Sequence, residues 1–65
     1  MILQTDNFLV GDTVEIVWNE GDDALECEVI KIERGFVVYE EKSTRQTGVF
    51  RPSSPFMIKI QAREK

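Results

Sequence analysis

Phe8-Leu9-Val10-Gly11-Asp12-Thr13-Val14-Glu15-Ile16-Val17-Trp18 is the stretch whose reading decides the fold. Gly11-Asp12 is turn chemistry, and the residues after it alternate. Val14, Ile16 and Trp18 share one side, while Thr13, Glu15 and Val17 share the other. This two-residue period is that of a half-buried β-strand. Phe8 and Val10 straddle the turn and are expected to cap one end of a core.

Working outward, Met1 to Asn7 has weak periodicity and reads as a loose arm or short lead-in strand. Asn19-Glu20-Gly21-Asp22-Asp23 is a polar hairpin loop. A second strand, about Ala24 to Glu33, alternates Leu25, Cys27 and Val29 against Glu26 and Glu28, then changes phase to Ile30 and Ile32 against Lys31. A one-residue change of phase predicts a bulge or bend near Val29-Ile30. Arg34-Gly35 is a tight turn. The third strand, Phe36 to Glu40, is apolar on both faces. Glu41-Lys42-Ser43-Thr44 is a loop, and Arg45 to Arg51 is a fourth strand that Pro52 ends, since proline cannot donate to a ladder. Ser53-Ser54-Pro55 has room for one short 3-10 turn. In the fifth strand Phe56, Ile58 and Ile60 point inward, with Met57, Lys59 and Gln61 outward; Ala62 to Lys65 is a charged tail. Phe8, Phe36, Phe50 and Phe56 are expected mainly in the core.

The reading is therefore all-β, one domain over residues 1–65 with its core at about 8–62, built as a five-stranded SH3-like barrel with a short 3-10 turn before the last strand. An OB-fold needs a helix between its third and fourth strands, and there is no space for one. In the SH3-like arrangement the last strand lies beside the first, which brings Lys59 near Glu15.

A chain of 65 residues buries only about 60% of the surface its unfolded form exposes, so its core is small. With 42% hydrophobic and 31% charged residues it is a folded protein rather than a disordered tail. No apolar run is long enough to span a membrane. The N-terminus lacks the flank and apolar run of a signal peptide, and the lone Cys27 has no internal partner; both point to a reducing, cytoplasmic setting. The net charge of −4 hides an asymmetry. Up to Ile30 there are Asp6, Asp12, Glu15, Glu20, Asp22, Asp23, Glu26 and Glu28 and no Lys or Arg; after it come Lys31, Arg34, Lys42, Arg45, Arg51, Lys59, Arg63 and Lys65 against Glu33, Glu40, Glu41 and Glu64. Either the fold carries two surfaces of opposite sign, or acidic strands pair with basic ones and neutralise them. The second is the expectation here.

The absence of His excludes imidazole-based triads and mixed Cys/His zinc sites. Cys27 reads as a small core residue rather than a nucleophile. The carboxylates of Glu20 to Asp23 lack the ordered spacing of a calcium loop, and there is no phosphate-binding glycine pattern. No catalytic residue, metal ligand or cofactor is expected. Trp18 and Tyr39 end the first and third strands. Either they sit together at one rim, where aromatic faces hold a cation or stack on a base, or Trp18 closes the core with Tyr39 on its edge.

Val10-Gly11-Asp12, Ile16-Val17-Trp18-Asn19-Glu20, Val29-Ile30-Lys31-Ile32 and Val37-Val38-Tyr39 with Arg45-Gln46 resemble a Tudor domain and overlap the looser patterns of KOW and other SH3-like barrels. The resemblance covers roughly Phe8 to Pro55. It implies an aromatic cage for methylated arginine or lysine, in which Trp18 and Tyr39 match aromatic members. Leu25 and Lys42 stand where the family has tyrosines, and Thr44 where it has asparagine; a lysine at a cation site repels the ligand. Phe8 to Val14 also resembles the Phe-x-x-Gly-Asp-x-Val opening of plasmid-borne type II dihydrofolate reductases, SH3-like enzymes with a Val-Gln-Ile-Tyr pore motif. Here that region is Gly48-Val49-Phe50-Arg51.

The leading expectation is a non-catalytic interaction module that binds a protein or peptide at the rim holding Trp18, Tyr39, Lys42, Thr44 and Arg45. The alternative is nucleic-acid binding, with Lys42, Arg45, Arg51 and Lys59 on phosphates. A reductase-like oligomeric enzyme comes last. Outward Val17, Val38 and Met57 support the protein-binding reading, and outward valines on a central strand also leave room for a symmetric assembly.

Overall fold

The computed structural model describes residues 5–61; the N-terminal half of the expected arm and the charged tail lie outside them. A 3-10 turn at Thr5–Asn7 precedes five strands: β1 (Thr13–Val17), β2 (Leu25–Glu33), β3 (Phe36–Glu41), β4 (Thr47–Phe50) and β5 (Met57–Ile60). All neighbours are antiparallel, in the order β4-β3-β2-β1-β5. Among the described residues no ladder joins β4 to β5, so the sheet is open and those two strands are its edges.

The alternation in β1 sets the inner face. Val14 and Ile16 are fully buried, and their register places Cys27 and Leu25 beside them on β2 and Ile60 and Ile58 on β5. Phe8, Val29, Val37 and Phe50 complete the core, with Trp18, Leu25, Ile32, Tyr39, Ile58 and Ile60 packed around it. The expected bulge is present, since the β2–β3 register shifts between Val29 and Lys31. The extra residue is Ile30, which turns outward and is exposed rather than inward as its phase implied.

The bulge is held to the turn before β1. Asp12 N–H donates to Leu9 O, and the Asp12 carboxylate accepts from Leu9 N–H at 2.9 Å. Gly11 N–H donates to Val29 O and Val29 N–H to Asp12 O. Gly11 has φ +98, a conformation L side chains rarely adopt. Val10 and Gly11 are the corners of this turn, so Val10 is exposed and Phe8 alone caps the core.

Phe36 and Phe56 are also outside the core. Phe36 shares the outward parity of Val38, and its ring lies under the Arg51 guanidinium at 5.0 Å. Phe56 precedes β5 and is held through its main chain, its N–H donating to Trp18 O. The expected 3-10 turn before β5 is a single turn closed by Ser54 N–H to Arg51 O. It cannot continue, because Pro55 has no N–H to give to Pro52 O. The 3-10 geometry occurs instead at Thr5–Asn7, closed by Phe8 N–H to Thr5 O.

The sheet is rolled. β1 and β4 are three places apart in strand order, which in a flat sheet is about 14 Å. Yet the ring of Trp18, just past β1, lies edge-on to that of Phe50 in β4 at 6.4 Å between centroids, and Phe8 meets Phe50 at 5.8 Å. Tyr39 packs tilted on the same ring at 5.8 Å. Gly48 permits this, because a Cβ there would stand 2.5 Å from the Tyr39 hydroxyl and 2.6 Å from Cζ. Gly48→Ala is therefore expected to destabilise the fold by about 1–3 kcal/mol through overpacking. In a Tyr39→Ala background the same change should cost much less, a coupling that a double-mutant cycle by urea unfolding measures.

Candidate functional site

The outward residues of β1, β2 and β3 are decided by the core, since a strand that buries Val14 and Cys27 must expose what lies between them. The result is a run of carboxylates. Glu15 faces Glu26 across the β1–β2 ladder, and Glu28 faces Glu40 across β2–β3. Like charges placed directly opposite destabilise a sheet. The expected neutralisation is found at the two ends of one row, where Lys59 stands opposite Glu15 as the strand order required and Lys42, whose N–H donates to Glu26 O, stands beside Glu26. The Glu15 carboxylate also accepts from Gln61, whose Nε2 donates at 3.5 Å. Among the described residues the ion pair is Lys31 with Glu33 at 2.9 Å, within β2 and on the exposed surface.

Beside this acidic run, between the start of β2 and the β3–β4 hairpin, is an open cleft of about 390 Å³ lined by Ala24, Leu25, Glu26, Glu41, Lys42 and Ser43. Lys42 N–H donates to Glu26 O, which fastens the hairpin to β2. The Lys42 ammonium donates to Thr13 Oγ1 at 3.1 Å, at the start of β1. Glu41 accepts from the hydroxyls of Ser43 and Thr44. Arg45 holds φ +62 at the corner of the hairpin, its N–H donating to Glu41 O. Lys42, Thr44 and Arg45 are therefore gathered in one hairpin. Trp18 and Tyr39 are not among the residues of the cleft; they flank Phe50, so both rings serve as walls of the core. The positions that the Tudor resemblance assigns to a cage divide between two places, with Leu25 and Lys42 in the cleft and the aromatic members on Phe50.

The basic residues considered for phosphate contact are dispersed. Arg51 sits over Phe36 at one end of β3, Lys42 and Arg45 lie beyond its other end, and Lys59 is on the far edge strand. Sequence reasoning missed the acidic run, although the signal was there: Glu15, Glu26, Glu28 and Glu40 are all on outward parity, and only the register between strands was needed to see them as opposed pairs.

Cys27 is the buried nucleophile-type side chain. Burial, and then the charges of Glu41 and Glu26, push its thiol from 9.0 up to about 11. Burial likewise raises the Tyr39 phenol, with Cys27 and Glu41 adding to it. Both groups are held in their neutral forms, the opposite of an activated thiolate. Among the described residues no group of three or more Cys, Asp or Glu is arranged to hold a metal, and no helix is long and apolar enough to cross a membrane. No protein-family model, curated protein or solved structure matches the chain.

A thiol whose folded pKa lies above its unfolded value stabilises the fold below the unfolded value and ceases to do so as pH rises through the folded one. Stability should therefore decline between about pH 9 and pH 11 as the unfolded chain, but not the folded one, releases the proton. Cys27→Ala should flatten that decline in urea titrations at a series of pH values, leaving the part due to Tyr39. Alkylation of Cys27 should be slow until denaturant is added.

Proposed function

We propose that the chain is a non-catalytic interaction module, an SH3-like barrel whose acidic outer face docks a positively charged segment of a protein partner. The rolled sheet, with rings spanning from β1 to β4 around Phe50, supports the barrel reading. The observation that carries the function is the pair of opposed carboxylates, Glu15 with Glu26 and Glu28 with Glu40. Each such pair costs the fold free energy, and a cationic partner laid across them turns repulsion into attraction. The adjoining cleft offers the apolar surface of Leu25 beside Glu26 and Glu41, which suits the aliphatic stem and charged head of a lysine or arginine.

The interaction is electrostatic and exposed, so salt weakens it. A fluorescently labelled oligolysine peptide should bind at low ionic strength, more weakly at about 0.15 M salt, and at least about tenfold more weakly to the Glu26→Lys, Glu28→Lys double variant. Glu28→Gln separates function from stability: it should weaken peptide binding while raising unfolding free energy by about 0.2–1 kcal/mol, because the repulsion with Glu40 is gone. Binding of an RNA or DNA oligonucleotide with no binding of oligolysine would overturn the reading in favour of a phosphate-binding surface.

A further inference from the structure

The two edges of the sheet differ. Natural edge strands are blunted by charged residues, prolines or bulges. β5 carries Lys59 within the strand, whereas β4, Thr47-Gly48-Val49-Phe50, has neither charge nor proline within it, Arg51 and Pro52 following at its end. Its backbone is also oriented for pairing. In an antiparallel ladder alternate residues turn both polar groups toward the same neighbour. Glu41 N–H donates to Gln46 O at 2.8 Å, which makes that pair hydrogen-bonded. By the register Tyr39↔Gly48 and Val37↔Phe50 are of the same kind, so Gly48 and Phe50 face β3. Thr47 and Val49 therefore turn their N–H and C=O toward the open edge. Their side chains are exposed as well, Val49 at 53%.

We propose that β4 pairs with β4 of a second copy, antiparallel about a two-fold axis through Val49, which goes beyond the peptide-binding reading and does not depend on it. In this register the edge groups of Val49 meet those of Val49 in the second copy, and Thr47 meets Arg51 of the second copy. Val38 stands beside Val49 on the outward face, so the joined sheet carries an unbroken row: Val38, Val49, Val49 of the second copy, Val38 of the second copy. The charges select the same register. Glu40 lies beside Thr47, so Arg51 of one copy stands two strand spacings, about 10 Å, from Glu40 of the other, with Thr47 between them. Moving the axis by one residue, to Gly48, puts Arg51 opposite Arg45 of the second copy, like charge against like.

The contact is short, so association depends on concentration. Sedimentation and light scattering of the full chain should show a reversible dimer at high concentration. Val49→Lys, which sets two ammonium groups against each other on the axis, should lower association at least about tenfold while the far-ultraviolet spectrum is unchanged. Met57→Lys on the other edge should leave it intact. Amide exchange at Thr47 and Val49 should slow as protein concentration rises, while exposed loop amides do not change. Arg51→Glu and Glu40→Arg should each weaken the dimer, and the two together should restore it. A chain that stays monomeric to about 1 mM, a dimer indifferent to Val49→Lys, or one abolished by Met57→Lys instead, would overturn the proposal.

Discussion

The ring of Phe50 is the contact on which the curvature of the whole sheet depends. It comes from an edge strand, and it is touched by Phe8 from before β1, by Trp18 from after β1, and by Tyr39 from the neighbouring strand. Hydrogen bonds bind each strand to its neighbours only, so nothing in the ladder itself draws β4 toward β1. The edge-on aromatic contacts do this. They curl a five-stranded open sheet over a core in which Val14, Ile16, Val29 and Val37 lose all contact with water. In a domain this small there is no second core to compensate, and the burial of Trp18 and Tyr39 against Phe50 is a structural use of both rings.

From that inner face the outer one follows. Register is set where burial is at stake, and a slip of one residue would bring every glutamate of β1 and β2 into the core. The pairing of Val14 with Cys27 is thus enforced by free energies of burial well above the fraction of a kcal/mol that Glu15 opposite Glu26 costs in exposed solvent. The repulsion is tolerated because it is the smaller effect. It is also distributed unevenly: Glu15, Glu26 and Glu28 are on β1 and β2 with Glu40 at the far end of β3, while the rest of the outer face of β3 and β4 carries half-buried Val38, exposed Val49 and the Phe36–Arg51 stack.

Much of this was legible in the sequence. The alternation of β1 and β5, the hairpin at Asn19 to Asp23 and the bulge at Val29-Ile30 follow from period and turn chemistry, which are local signals, and the approach of Lys59 to Glu15 followed from the strand order of the SH3-like arrangement. What failed was whatever depended on a partner in another strand. Phe36 and Phe56 are apolar enough for any core, but parity puts the first outside and a strand end leaves the second there. Val10 was misread because a turn corner and a core cap look alike without the Asp12–Leu9 hydrogen bonds. The acidic run was hidden for the same reason, since glutamates on separate strands become opposed pairs only once the register is known. Of the site residues, Lys42, Thr44 and Arg45 share a hairpin because they are close in sequence, whereas the rings of Trp18 and Tyr39 pack on Phe50 and do not line the cleft.

The uneven outer face bears on how copies of this chain avoid one another. With a net charge of −4, two copies meeting through β1 and β2 would set carboxylate against carboxylate at contact distance. Meeting through β4 orders the strands so that the β2 carboxylates of the two copies are five strand spacings apart, about 24 Å. That is roughly three Debye lengths at physiological salt, far enough for their repulsion to be screened. The nearest acidic residue, Glu40, is then the one that has Arg51 of the other copy within reach. An edge-to-edge pair through β4 is thus the arrangement that joins the apolar halves and keeps the acidic halves apart. It leaves the Glu15, Glu26 and Glu28 surface of each copy open, so that the proposed self-association and the proposed docking of a basic segment share Glu40 alone.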